Sequence, residues 1–253
     1  MRSASRVAAL YDIHGNVPAL EAVLEEVRRA RVDLVVIGGD VLPGPMSAAA
    51  LTVLSGLDVP VECIHGNGEG IVLAQADGKD ISEVPEPYRD VIRWDAERML
   101  EQHRVWLSTW PLTCRIEVRG IGDVLFCHAT PRHDNEGFTR LTPEDRVAPM
   151  FAGVNAALVV CGHTHMQFDR MVGGTRVVNA GSIGMPFSRP QGAYWLLLGG
   201  PHAVDFRRTD YDFEGAAGRV RATGFPMVEQ LCVRYILSPP TEAETLTMYS
   251  ALN

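Results

Sequence analysis

The sequence has no long apolar run. The apolar stretch nearest the amino terminus extends only from Val7 to Tyr11 before it meets Asp12, which is too short for a signal peptide. Nowhere does the chain approach the roughly 18 consecutive apolar residues that a membrane-spanning helix requires. The sequence therefore predicts a cytoplasmic protein without a membrane partner.

Paired cysteines and an excess of positive charge are also missing. The five cysteines form no C-x-x-C pair and are odd in number, which favours buried thiols in a reducing compartment over disulfides. The 23 lysines and arginines are outnumbered by 31 acidic residues, so the formal net charge is −8. Because cationic surface supplies most of the nonspecific affinity for nucleic acid, this balance argues against a nucleic-acid polymer as partner.

The chain does contain five polar clusters, each directly after a short apolar run. Runs rich in Val, Ile and Leu predict buried strands. The runs are Val7 to Tyr11, Leu34 to Ile37, Val61 to Ile64, Val124 to Cys127, and Leu158 to Cys161. The clusters are Asp12-Ile13-His14, Gly39-Asp40, Gly66-Asn67, His128, and Gly162-His163-Thr164-His165. Since the carboxyl ends of strands in an open α/β sheet converge on one crevice, we expect these side chains to lie together.

Seven side chains in these clusters are candidate metal ligands. They are Asp12, His14, Asp40, Asn67, His128, His163 and His165. Imidazole nitrogens combined with carboxylate and amide oxygens favour Mn, Fe, Ni or Zn over Ca or Mg alone. A single ion takes about four to six ligands, so the set predicts two divalent transition-metal ions. Asp40 is the candidate for a carboxylate that both ions share.

Taken singly, the clusters are weak evidence. Asp12-Ile13-His14 alone is more often a turn or a helix cap, and Gly39-Asp40 alone says almost nothing. The order of all five resembles the calcineurin-like metallophosphoesterase superfamily, whose signature runs D-x-H, G-D, G-N, a lone His and G-H-x-H. The resemblance spans roughly residues 6 to 200, and Asn179-Ala180-Gly181-Ser182 resembles the small bacterial and archaeal phosphodiesterase branch.

This resemblance implies a role for each ligand and a function. One metal would take Asp12, His14 and His165, the other Asn67, His128 and His163, and Asp40 would bridge them. Asp40, Asn67 and His128 would be catalytic, in the hydrolysis of a phosphodiester, or of a phosphomonoester, by a metal-bridging hydroxide. The substrate would be a small phosphorylated molecule. The alternatives are a protein-serine/threonine phosphatase or dinucleotide-tetraphosphate hydrolase, and a noncatalytic metal-binding scaffold.

One position departs from the family pattern. Superfamily members often carry His or Asp directly after the Asn of the G-N motif, where it can protonate the leaving group. This chain has Gly68 there, so general-acid assistance is expected to be missing unless Glu69 or His65 supplies it. Candidates for substrate contacts are His65, Glu69, Arg132 and His133. The alternative for each is a purely structural role, either bonded to backbone or solvated at the surface.

The expected fold class is α/β. Helical periodicity at Pro18 to Arg31 and Ser47 to Leu57, between predicted strands, indicates a βαβαβ start. The resemblance implies a four-layer αββα sandwich of two mixed sheets flanked by helices. Residues 1–210 would form the metallophosphoesterase catalytic domain, with a helical insertion at about 70–110. Residues 211–253 would form a helical extension that packs on the domain or lies in a homo-oligomer interface, with helices at Phe213 to Thr223, Pro226 to Leu237 and Thr241 to Leu252.

Overall fold

The protein folds around two mixed β-sheets. The structure is a computed structural model that describes residues 1–251. The five-stranded sheet contains, in spatial order, β11 (Val204–Thr209), β10 (Ala193–Leu198), β2 (Val7–Leu10), β3 (Leu34–Ile37) and β4 (Val61–Cys63). The six-stranded sheet contains β1 (Arg2–Ala4), β5 (Thr113–Val118), β6 (Gly122–Cys127), β7 (Leu158–Cys161), β9 (Thr175–Asn179) and β8 (Phe168–Val172). β2, β3 and β4 pair in parallel, as the predicted βαβαβ start requires.

Two edge strands were not predicted from the sequence. β1 has only three residues and pairs in parallel with β5. β8 exposes Asp169 and Met171 and pairs with β9 alone. A strand this short, or this polar on one face, gives too little periodic signal to be recognised without its neighbour.

Side chains alternate between the two faces of each strand, and this alternation divides the hydrophobic core into layers. In β2, Ala8 and Leu10 pack under the helices of one outer layer, whereas Ala9 lies between the two sheets. In the six-stranded sheet, Leu125 faces outward and packs in a cluster with Phe151. Because successive strand residues point to opposite faces, each sheet is buried on both sides. The expected sandwich of two mixed sheets flanked by helices is confirmed.

Most of the helices lie where the sequence predicted them. The outer layer on the five-stranded sheet contains α1 (Val17–Ala30) and α2 (Ser47–Ser55), and that on the six-stranded sheet contains α6 (Glu144–Val147) and a 3₁₀ turn (Ala148–Phe151). The helix α6 and the 3₁₀ turn that follows it were not predicted. Between β4 and β5 lie α3 (Asn67–Ala76), α4 (Glu86–Arg98) and α5 (Glu101–Leu107). Within residues 1–251, no helix is both long enough and apolar enough to cross a bilayer.

The start of α1 has a clear local cause. The side-chain oxygen of Asn16 accepts a hydrogen bond from the backbone N–H of Ala19 at 3.2 Å, which satisfies an otherwise unpaired donor of the first turn. Pro18 has the fixed φ of a helical first turn. The buried face of the helix includes Leu20 and Val23. This helix follows the first predicted metal cluster directly and fixes its position against the sheet.

The C-terminal segment packs on the body of the protein. It contains α7 (Phe213–Arg221), a π-helical turn (Glu229–Val233), α8 (Arg234–Leu237) and α9 (Glu242–Ala251). Val220, Phe225 and Ile236 form one apolar cluster with Val91 of α4. The predicted end of the last helix, Leu252, lies outside the described residues. The packing on α4 brings this segment close to the carboxyl ends of the strands.

Candidate metal centre

All seven predicted ligands lie just after the carboxyl ends of strands. Asp12 and His14 follow β2, Asp40 follows β3, Asn67 follows β4, His128 follows β6, and His163 and His165 follow β7. These strands belong to both sheets, and their ends meet at one edge of the sandwich. The fold therefore brings together residues that are up to about 150 positions apart in the sequence.

One group of ligands consists of Asp12, His14 and His165. Their ligand atoms all lie within 4.8 Å of one another. The Nε2 atoms of His14 and His165 are 3.2 Å apart, and Nε2 of His165 lies 3.2 Å from Oδ1 of Asp12. Two imidazole nitrogens and a carboxylate oxygen at these distances form three of the ligands that a divalent transition metal needs.

A second group consists of Asp40, His128 and His163, whose ligand atoms also lie within 4.8 Å of one another. Nε2 of His128 is 3.5 Å from Oδ1 of Asp40. Asn67 begins α3 beside this group, and its side-chain oxygen is buried with no hydrogen-bond partner. The structure thus places Asn67 beside this group, and the assignment of Asn67, His128 and His163 to one metal stays a prediction.

Asp40 lies between the two groups. Its Oδ1 is 3.5 Å from Nε2 of His128 in the second group, and its Oδ2 is 3.8 Å from Nε2 of His14 in the first. The backbone N–H of Gly68 donates to Oδ1 at 2.8 Å and fixes the carboxylate plane. A carboxylate with one oxygen toward each set can bridge two ions that are roughly 3.5 to 4 Å apart.

Unpaired buried atoms fit divalent ions. Among the described residues, Oδ1 of Asp12, Oδ1 of Asn67 and Nε2 of His128 are buried without a hydrogen bond. Buried polar atoms in native proteins are nearly always paired, so three orphaned ligand atoms in one place indicate that another group satisfies them. All three are atoms that coordinate metals.

The histidine rings are oriented by the backbone. The Nδ1 atoms of His14, His128 and His165 each donate to a carbonyl oxygen, those of Pro43, Gly38 and Met185, at 3.2, 2.8 and 2.6 Å. A carbonyl can only accept, so Nδ1 carries a proton in each ring, and the neutral form of each ring has its Nε2 lone pair free for a metal. Such hydrogen bonds are typical of metal-ligating histidines.

Backbone strain is concentrated at the ligands. Within residues 1–251, seven non-glycine residues have positive φ, and five of them are predicted ligands, namely Asp12, His14, Asp40, His163 and His165. Left-handed backbone is uncommon for residues with a side chain and costs free energy, so it persists where the surrounding structure enforces it. Here it turns the ligands toward one another immediately after their strands.

The ionisation states also suit cation binding. Burial acts to raise the pKa values of Asp12 and Asp40, but the neighbouring imidazoles outweigh it and hold both pKa values below the usual range. Burial lowers the pKa of His14 and, together with the charge of His128, lowers the pKa of His163 to about 4. Burial opposes protonation of His128 as well, yet Asp40 and Asp12 raise its pKa to about 10. Ions would therefore displace a proton from His128.

Comparison with known proteins decides the family. A family model described as the calcineurin-like phosphoesterase superfamily domain matches residues 6–198. The chain belongs to this superfamily. The resemblance seen in the sequence is confirmed, and the protein is a metal-dependent phosphoesterase.

Several known proteins match this chain along most of its length. An uncharacterized protein of Methanocaldococcus jannaschii is 24% identical over 242 residues, which cover 88% of this chain and 94% of that protein. The crystal structure of a hypothetical protein from Pyrococcus horikoshii has a TM-score of 0.74 at 21% identity and covers 91% of this chain and 98% of its own. A metallophosphoesterase from Sphaerobacter thermophilus has a TM-score of 0.71 at 23% identity, with 90% and 98% covered.

Glu69 is not a substrate contact in this phosphoesterase, and the prediction for it is corrected. Its side chain is fully buried. Oε2 accepts from the backbone N–H groups of Asp40 at 2.8 Å and Gly66 at 2.7 Å, and Oε1 accepts from Val41 at 2.8 Å and Leu42 at 3.3 Å. Burial and the nearby charge of Asp40 raise the pKa of Glu69 to about 7, although the hydrogen bonds from the backbone act to lower this pKa. The side chain ties the loop after β3 to the start of α3.

We expect Glu69→Gln to weaken metal binding by about 10- to 100-fold, because an amide retains only one acceptor oxygen and turns an NH₂ group toward backbone donors. The measurement is a competition titration against a chelating dye. Glu97→Gln is the matched control, since the Glu97 side chain is 69% exposed on α4. Equal metal affinity in the two variants would contradict a positioning role for Glu69.

The other three candidates for substrate contact lie in different surroundings. His65 is part-buried, with Nδ1 3.3 Å from Oδ2 of Asp134, and this partner raises its pKa. His133 lines a cleft of about 520 Å³ that also includes Asn67. Arg132 is half-exposed and its guanidinium is bonded to the carboxylate of Glu136. His133 therefore faces the cleft, while Arg132 is engaged in a surface ion pair.

The positioning roles of two residues were not predicted from the sequence, although Ser182 was a candidate for the lining of the pocket. Asn179 at the end of β9 donates to the carbonyl of Gly162 at 2.6 Å and so shapes the loop that carries His163 and His165. Ser182 donates to the carbonyl of Asp12 at 2.7 Å. The signal was their position directly after a buried strand, within the stretch already noted as family-like.

Aromatic side chains connect the centre to the C-terminal segment. The ring of Phe187 lies 4.5 Å from that of His165, and the ring of Tyr235 in α8 lies 5.3 Å from Phe187. No local pattern marks either residue, because the contact joins a loop to a segment about 50 positions later. The C-terminal segment thus forms part of the surroundings of the metal centre.

Proposed function

We propose that this phosphoesterase hydrolyses a small phosphodiester at a centre of two divalent transition-metal ions. The observation that carries the proposal is the position of Asp40, with one carboxylate oxygen near each group of histidines. Two ions held there would lower the pKa of a shared water and neutralise charge on phosphate oxygens.

The residues of the chain have distinct tasks in this proposal. Asp12, His14 and His165 would hold one ion, and Asn67, His128 and His163 the other. Asp40 would fix the spacing between them. With only two carboxylates against two divalent ions, the centre would keep a positive charge that attracts a phosphate. Gly68 directly after Asn67 has no side chain, and Glu69 is buried against backbone N–H groups. Of the two positions singled out from the sequence, part-buried His65 is therefore the remaining candidate for a proton donor.

Substrate class is tested with purified, metal-loaded protein. The panel contains a bis(nitrophenyl) phosphodiester, nitrophenyl phosphate, a phosphoserine peptide and diadenosine tetraphosphate. We expect the highest kcat/KM for the diester. A preference for the peptide or the dinucleotide would support a protein phosphatase or a dinucleotide-tetraphosphate hydrolase instead. Absence of turnover on all four would support a noncatalytic scaffold.

Metal identity gives a separate prediction. We expect chelator-treated protein to be inactive, and Mn or Ni to restore more activity than Mg, because four imidazole ligands favour the softer ions. The assay is turnover of the diester after dialysis against each metal, with metal content measured in the same samples. Highest activity with Mg at equal occupancy would contradict the ligand assignment.

The cytoplasmic location and homo-oligomer formation stay predictions.

A further inference from the structure

A second cavity adjoins the metal centre. It has a volume of about 170 Å³ and lies between α4 and the C-terminal segment. Val91 and Ile92 of α4 line one side, and Phe225 and Ile236 line the other. The metal-ligating residue His14 also lines this cavity, which we call the apolar pocket.

The apolar pocket adjoins the cleft at the other metal group. Pro43, Tyr88 and Ile92 line both the pocket and the cleft of about 520 Å³ that includes Asn67. A molecule bound through its phosphate at the metal centre therefore has two neighbouring spaces for its substituents. One is the wider cleft with polar residues such as His133, and the other is the apolar pocket.

The chemistry of the pocket excludes charged groups. Among the residues that the structure describes, no Asp, Glu, Lys or Arg lines it, and its lining is mainly aliphatic and aromatic. The side chain of Asn16 is already bonded to the carbonyl of Gly184 and to the N–H of Ala19. Nδ1 of His14 is bonded to the carbonyl of Pro43. A polar group placed here would lose its hydrogen bonds to water without gaining others, which is costly.

The volume of the apolar pocket, about 170 Å³, fits a ligand group the size of a single ring or a short branched chain. An apolar cavity of about 150 Å³ is known to hold benzene in another protein. Five lining residues, Val220, Phe225, Leu231, Cys232 and Ile236, lie beyond residue 198, where the match to the family domain ends. One wall of the pocket is therefore built by a segment outside that match.

We propose that the apolar pocket binds the nonleaving ester group of the substrate, a phenyl-sized or branched-alkyl group. This inference rests on the proposed phosphodiesterase function. It assigns the C-terminal segment a role in substrate specificity, since this segment contributes one wall. A void left by imperfect packing would give no preference between substrates.

The test compares two diesters with the same leaving group, phenyl 4-nitrophenyl phosphate and methyl 4-nitrophenyl phosphate. In both, water adds to phosphorus and the P–O bond to 4-nitrophenolate breaks, which leaves a phosphomonoester. We expect kcat/KM to favour the phenyl diester at least about tenfold, because removing an apolar ring from water stabilises its bound state. A ratio near one would overturn the proposal while turnover of both diesters would uphold the proposed function.

Substitutions locate the preference. Cys232→Phe fills the pocket, and we expect the phenyl-to-methyl ratio to fall toward one. Gln230→Phe is the matched control, because Gln230 is exposed on the same π-helical turn, and it should keep the wild-type ratio. Should Cys232→Phe fail to fold, Ile236→Ala enlarges the pocket and should raise the preference for a naphthyl over a phenyl diester. Ratios that neither substitution changes would overturn the proposal.

If neither diester is hydrolysed, the proposed function is contradicted. The pocket assignment is then tested by direct binding. The probes are phenylphosphonate and methylphosphonate, added to zinc-loaded protein. Phenylphosphonate should shift the NMR methyl signals of Ile92 and Ile236, and methylphosphonate should not. Equal effects of the two probes on these methyl groups would overturn the pocket assignment.

Discussion

Asp40→Asn is expected to lose activity by orders of magnitude while the fold persists. An amide has nearly the shape of the carboxylate, and its oxygen can still accept the hydrogen bond that the Gly68 N–H donates. It lacks the negative charge, however, and only one of its two terminal atoms can bind a metal, so it cannot hold two cations. The variant should bind fewer than two ions per chain.

Metal content, turnover of the diester and thermal unfolding are measured on the same preparation. Asp90→Asn is the matched control, because the Asp90 side chain is 67% exposed on α4 and makes only a surface ion pair with Arg93. It should retain wild-type metal content and stability. Near-normal turnover of Asp40→Asn with two ions bound would remove Asp40 from the bridging position.

The ligand set could be predicted because its signals are local. Six of the seven ligands follow a run such as Leu34–Ile37 that is apolar throughout, and such runs identify strands buried on both faces. Asn67 is the exception, because the run before it contains Glu62. Once strands are placed in an α/β sheet, the convergence of their carboxyl ends follows from topology. His128 shows the strength of this argument, since a lone histidine has no motif of its own but still lies in the second ligand group.

The supporting residues could not be predicted because their roles depend on contacts between distant loops. From the sequence alone, Glu69 is expected to be an exposed polar residue near a motif. It is buried because the loop after β3 folds over it and donates backbone N–H groups to its carboxylate. The wall formed by Phe225 and Ile236 depends in the same way on where the C-terminal segment packs. Such contacts carry no periodicity that a single sequence displays.

Gly68 shows both a local signal in the sequence and a contact between distant segments that the sequence does not reveal. In the sequence it is a missing proton donor, and a histidine in its place would be the natural way to restore general-acid assistance. In the structure, a Cβ atom at this position would lie 2.0 Å from the carbonyl oxygen of Leu42 and 2.9 Å from Oδ1 of Asp40. The glycine is required by close backbone approach, and the missing acid is a consequence of how the loop after β3 packs on α3.

We therefore expect Gly68→Ala to destabilise the protein by about 1 to 3 kcal/mol, the usual cost of forcing extra volume into a packed site, and to weaken metal binding as Asp40 is displaced. Gly68→His should be worse, without the gain on poor leaving groups that the sequence alone would promise. The control is Gly70→Ala, two residues later in α3, where a Cβ atom would meet nothing within 4 Å. That substitution should be neutral or stabilise the helix by about 0.5 to 1 kcal/mol. Urea unfolding and metal titration of the two alanine variants test whether position 68 requires glycine. Equal stability and metal affinity of the two variants would show that the loop after β3 can move to admit a side chain there.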